Sequence, residues 1–395
     1  MSKSRILNGA EASRRHGVLA GTYAAAIMHA DPLADAAAEA LHSFPDRWWS
    51  MVVEALEKGC AAVPDAPPEL AALVAALPPD PGAEEREKME RGRAAIARVG
   101  DSAGLVLQCL SLVIDCWSPP AMKPFLLSGT LKQDPIQRLV QTGAWWIDLH
   151  GPGGLAAGAD GYRATLHIRL TNAFIRRLVR GSGAWDRAAW GEPINQADLF
   201  LQVVGYSKVM IDSLQRMGYR LTTEEREGYF LLWRHVAALL GVEKSLLPYV
   251  NEADCWRYWD LWMLTNPGPD AEGIALARTM LEAMAGAGGR SAAGRQFNLW
   301  TLRGAIYWLL RGDIGRQLGQ PFTQAAHILP LLYKPAIGIS GAVSRLTGRD
   351  RDSESSRASR KPALGFVPEG AQAVSAPERL AALARFEPRT PAPRT

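Results

Sequence analysis

Apolar residues recur along most of this chain at the three- and four-residue spacing of helices with one buried face, and no stretch sustains the alternation of a half-buried strand. Asp31-Pro32 opens a helix running to about Leu41, with the proline in its first turn. Residues 44–58 form a further amphipathic helix. The Pro- and Ala-rich run from Ala61 to Ala83 is a surface excursion around one short helix. Residues 84–117 read as one long helix, polar at first and then apolar, stopped by Pro119-Pro120. A helix opened by Asp134-Pro135 leads through the glycine-rich turn of 151–161 to a helix spanning Arg163 to Arg177. Trp190 to Pro193 is a turn, with Asn195 the N-cap of the next helix. Thr222-Thr223-Glu224-Glu225 is a capping box whose helix ends at Gly241. Helices near 252–264, 272–286, 296–311 and 322–333 complete an all-α domain.

At 395 residues and 48% hydrophobic, the chain can bury one large core. We divide it into an N-terminal arm (1–30), a helical domain (31–345) and a tail (346–395) whose charged, then Pro/Ala-rich composition points to disorder. The net charge of +4 is small and the basic residues are scattered, which argues against a nucleic-acid partner. Cys60, Cys109, Cys116 and Cys255 have neither metal-ligand nor disulfide spacing, as expected of buried thiols in a reducing compartment. Ser13-Arg14-Arg15-His16-Gly17 has the outline of a twin-arginine export signal. The apolar run after it is short, contains Tyr23 and lacks a small-residue cleavage site, so the expected location is cytoplasmic. No run of 18 apolar residues occurs, so nothing is expected to span a membrane, although peripheral membrane contact stays compatible with the sequence.

The candidate chemistry lies on two helices. At 100° per residue, Thr165, Arg169, Asn172 and Arg176 share one narrow face, flanked by Leu166, Leu170, Ala173, Phe174 and Leu178. Arginines on so apolar a helix need anionic partners. The preceding helix carries Arg138, Thr142 and Trp145 at i, i+4 and i+7. Glu39 and His42 have the Glu-x-x-His spacing of di-iron bundles but no second copy exists, and His150-Gly151-Pro152-Gly153-Gly154 lacks a nucleophile elbow to serve. The tryptophans are core residues, with Trp145 the exception as a pocket wall.

The run Arg169-Leu170-Thr171-Asn172-Ala173-Phe174-Ile175-Arg176 resembles the Arg-Leu-x-His-Ala-x-(Val/Ile)-Arg signature of the rubber oxygenase (latex-clearing protein) and MpaB-type oxygenase family. The resemblance extends to Arg138 and Thr142, placed like that family's Arg-x-x-x-Thr pair upstream, with Gln141 where rubber-cleaving members often have lysine. It includes the elements Gly191–Leu199 and Tyr229–Val242, and the early segment Asp31–Ala36. The resemblance implies a large globin-like helical fold and a b-type haem, whose axial histidine is replaced here by Asn172. It also implies that Arg138 and Thr142 are catalytic residues on the far side of the haem. Arg169 and Arg176 would pair with its propionates or with carboxylates such as Asp198. The implied activity is oxidative cleavage of C=C bonds in a hydrophobic isoprenoid or lipid-like substrate. An amide oxygen is a weak donor to iron, so the metal ligand is left open among His150, His235, Tyr206 and the cysteines. The alternative is a haem-free homologue that binds an apolar ligand or a partner.

Overall fold

Prolines, glycines and side-chain caps fix where the helices start and stop. The computed structural model describes residues 5–129, 135–287, 291–310 and 313–347, and among these it contains helices and loops but no strand. The N-terminal third comprises α1 (Gly9–His16), α2 (Val18–Ala26), α3 (Pro32–Leu41), α4 (Trp48–Lys58), α5 (Pro68–Ala75), α6 (Ala83–Ala97), α7 (Asp101–Cys116) and α8 (Pro119–Leu127). The middle holds α9 (Pro135–His150), α10 (Asp160–Gly181), the single turn α11 (Arg187–Trp190), α12 (Gln196–Val204) and α13 (Met210–Met217), the last two joined by a π turn, Gly205–Val209. Beyond these come α14 (Thr223–Leu239), α15 (Glu252–Thr265), α16 (Ala271–Ala287), α17 (Ala292–Leu309), α18 (Asp313–Gln317) and α19 (Ala325–Thr347).

The caps read from sequence are in place. Asn195 accepts a hydrogen bond from the Asp198 amide at 3.0 Å, and Thr222 and Glu225 form the reciprocal box at the start of α14. Gly241, just beyond α14, has φ +83°, a conformation that favours glycine. Other expectations are corrected. The long helix of 84–117 is two, because Gly100 turns left-handed at φ +54° and Asp101 starts afresh. α19 runs on to Thr347 through Pro330 and Pro335 instead of ending near 333. The arm of residues 1–30, described from residue 5, holds α1 and α2 and packs on the domain: Leu19, Tyr23 and Ala26 are buried in the main core, the Leu7 amide bonds Thr265 O at 2.8 Å, and Arg5 pairs with Asp198. The tail from residue 348 lies outside the described residues, and with it the expectation of disorder there.

Two apolar clusters meet on α10. The smaller packs α3, α4 and α5 (Ala34, Leu41, Trp48, Leu70) against Leu166, Leu170, Ala173 and Phe174. The larger takes in Ile175 and Val179 from the other side of α10, with most of the remaining helices. Elsewhere α6 and α14 approach backbone to backbone at Gly92 and Gly228. A Cβ on Gly92 would collide with the Tyr229 amide, and one on Gly228 with Lys88 O. No helix among the described residues is long and apolar enough to cross a membrane.

Candidate functional site between α9 and α10

α9 and α10 are joined by a tight loop and run antiparallel. At their joined end Gly161 lies so close that a Cβ there would be 2.7 Å from Leu149 Cα. One turn further, Trp145 Nε1 donates to Thr165 Oγ1 at 2.9 Å, and the Thr165 hydroxyl donates to Gly161 O at 2.7 Å. This pair shows that the Thr165 face of α10 looks at α9. Asn172 stands two turns beyond Thr165 on the same face. It is 6% exposed, and no hydrogen bond reaches its amide among the described residues. Thr142, one turn before Trp145 on α9, is half-buried and likewise makes no side-chain hydrogen bond among them. Arg138 is on the first turns of α9, and its side chain lies outside the described residues.

The two arginines of the signature face elsewhere. Arg169 grips Asp31 with two bonds, Nε to Oδ2 at 2.6 Å and Nη2 to Oδ1 at 3.0 Å, both side chains being buried. Arg176 bonds Asp35 through Nε at 2.6 Å and reaches Ile194 O at 3.4 Å, while its Nη2 is buried without a partner among the described residues. The expected carboxylate partner, Asp198, belongs instead to Arg5. Asp31, the N-cap of α3, and Asp35 one turn on thus clamp that helix to α10 by charge-assisted bonds. The guanidinium groups expected to meet haem propionates are taken up by this clamp. The seam continues outward: Arg180 bonds Asp35 and Glu192, Arg187 also pairs with Glu192, and Arg177 bonds Glu39. Burial alone would raise the Glu192 carboxyl, but Arg187 and Arg180 hold it below its usual range. In the sequence Asp31 and Asp35 mark only the opening of a helix. No local signal tells that they meet arginines 138 and 141 residues later.

Behind Trp145 lies an aromatic block. Tyr206, carried by the π turn, stacks on Trp233 at 5.4 Å and 15°, and Trp145 meets both rings edge-on. Trp146 adjoins the block and stacks on His150 at 3.9 Å. His150 Nδ1 is 2.9 Å from Trp146 O, which fixes the proton there, and Nε2 is buried without a partner among the described residues. Burial pushes this imidazole down to about 3.

The arrangement does not fit haem coordinated at position 172. An amide is the only donor there. His167 points the other way, packed on Trp48 and Trp49. His150 sits at the far end of α9, beside Gly161 and roughly 16 Å along the helix axis from Asn172. Burial pushes the Cys109 and Cys255 thiols up to about 12, away from the thiolate that binds iron. Among the described residues no three His, Cys, Asp or Glu side chains gather to hold a metal.

Such a fold, helices alone among the described residues with α9 and α10 packed antiparallel, is that of a class of oxygenase catalytic domains. It aligns with the structure of latex clearing protein LCP in the closed state at a TM-score of 0.63, covering 88% of this chain and 93% of that one at 19% identity. The family model for the ER-bound oxygenase mpaB/B'/rubber oxygenase catalytic domain matches residues 92–334, and the chain belongs to that family. The rubber oxygenase of Streptomyces sp. (strain K30) is 29% identical over 87 residues, a stretch spanning 22% of this chain and 21% of that relative.

Proposed function

We propose that this chain binds an apolar, unsaturated small molecule of terpenoid or lipid type at the α9–α10 face that carries Asn172 and Thr142, without haem coordinated at position 172. The observation that carries the reading is Asn172, a buried amide with no hydrogen bond among the described residues, on a face of α10 that looks toward α9 and its half-buried Thr142. The diversion of Arg169 and Arg176 to α3 supports it, because it removes the cations that would neutralise propionates. A cytoplasmic location belongs to the same reading, supported by free cysteines at Cys60, Cys109, Cys116 and Cys255. A small-molecule partner in place of nucleic acid is supported by the scattered charge.

A second reading keeps the haem b chemistry and C=C cleavage of the rubber-oxygenase type, with Arg138 and Thr142 as the catalytic residues. The family match over residues 92–334 favours it, and it requires an axial donor other than Asn172. Absorption spectra of protein expressed with ample haem separate the two. We expect no Soret band from the native chain and a Soret band from Asn172→His, which places an imidazole on the face of α10 that looks toward α9. A stoichiometric Soret band from the native chain would overturn the first reading and favour the second.

A further inference from the structure

α19 turns an apolar face to water. At 100° per residue Ile328, Leu331, Leu332 and Pro335 fall within a sector of about 100°. All four are exposed, Leu331 at 73% and Leu332 at 62%. Phe322, 52% exposed just ahead of the helix, extends the patch through its ring contact with His327 at 5.3 Å. The opposite side of α19 is held by the core. A Cβ on Gly304 of α17 would be 2.3 Å from that of Ala325, and Tyr333 meets the Trp308 ring edge-on at 5.7 Å. Packing thus sets the outward face, and among the described residues nothing covers it. Single apolar side chains on a surface are ordinary, whereas a contiguous patch marks a contact surface.

The charge around the patch decides what it contacts. Residues 290–349 hold eight Lys and Arg and one acid, Asp313, a net +7, whereas the rest of the chain has 36 against 39. The asymmetry comes from missing acids, not from a block of cations. Lys334 sits at the edge of the apolar sector, and neither it nor Arg295 or Arg303 of α17 makes an ion pair among the described residues. A second copy meeting this face across a two-fold axis would set like charges together. Residues 350–395 carry eight cations against six acids, so they offer the face no opposite charge either. A phosphate backbone would match the charge but leave the leucines in water. An anionic bilayer matches both features, its acyl boundary taking the apolar side chains and its headgroups the cations.

We propose that the α19 face centred on Leu331 and Leu332 is a peripheral docking surface for anionic membranes. The chain rests on the bilayer by this face and does not cross it, in keeping with the absence of a spanning helix among the described residues.

The test is co-sedimentation of the full-length protein with phosphatidylcholine vesicles, with and without phosphatidylglycerol. We expect binding to the anionic vesicles that weakens as salt is raised, and little to the neutral ones. Leu331→Gln with Leu332→Gln should bind the anionic vesicles about tenfold more weakly, and Lys334→Gln about fivefold more weakly. These side chains are exposed, so the fold should be kept. Phe322→Gln provides an independent loss should the leucine variant fold poorly. Native protein left in the supernatant with anionic vesicles, or binding unchanged in the leucine and Phe322 variants, would overturn the proposal. So would a dimer, seen by sedimentation velocity without vesicles, that the leucine variant turns into a monomer, because the face would then belong to a second copy.

Discussion

Two histidines, the buried His150 and the half-buried His167 with its Nε2 out of reach of water, give this protein a calculable sensitivity to acid. Burial pushes the imidazole of His150 from 6.5 down to about 3, and that of His167 from 6.5 down to about 4. Both are neutral in the folded protein throughout the neutral and mildly acidic range. The unfolded chain takes up a proton on each below its ordinary value, so it binds more protons than the folded state and stability falls as the pH is lowered. The contribution is complete well above pH 6.5 and is lost progressively toward pH 3–4. A pH of 5 lies about 1.5 pH units below the ordinary imidazole value, so keeping each ring neutral there costs about 2 kcal/mol, or about 4 kcal/mol for the two. That is a large share of the roughly 5–15 kcal/mol typical of a folded domain. Urea unfolding at pH 7.5 and 5.0 measures the difference. His150→Phe, which keeps a ring against Trp146, and His167→Leu should each remove about 2 kcal/mol of the pH-dependent loss, whatever they do to stability at pH 7.5; His235, also pushed down by burial, adds to the remainder. A full loss persisting in His150→Phe would refute the assignment of that share to His150.

The remaining expectations concern how the helices are held. Asp31→Asn leaves Arg169 buried and uncompensated and should lower stability by about 3–5 kcal/mol, whereas the double variant Asp31→Asn, Arg169→Met should recover much of it; thermal melting of the three proteins checks this. Gly228→Ala places a methyl against Lys88 O and should push α6 from α14, at a cost of about 1–3 kcal/mol or more, read as a lowered melting temperature.

Local signals in the sequence translate well into structure where the cause is itself local. Asn195 and Thr222 cap because their side chains reach an amide three residues on, and Gly241 ends α14 because it can turn left-handed. The break at Gly100 is not legible, because a helical period continues across it and only the φ of one residue departs. The face uniting Thr165, Arg169, Asn172 and Arg176 is legible from period alone. What each member meets is not, since a helix presents only part of its circumference to each neighbour. Small differences in angle send Thr165 to Trp145 and Arg169 to Asp31. Family membership and the all-α fold are within reach of the motifs; the α3 clamp depends on which distant segment folds alongside.

The π turn at Gly205–Val209 has its own arithmetic. A widening of this kind holds one residue more than a regular helix would need to cover the same rise. Removing a single amino acid from the turn would let α12 and α13 merge into an unbroken cylinder. The cost would fall on side-chain direction: everything on one flank would swing by about 100° relative to the other. Tyr206 could then no longer lie flat on Trp233 while the flanking helices kept their packing. A shortened turn would thus be smoother along its backbone and wrong in its aromatic block.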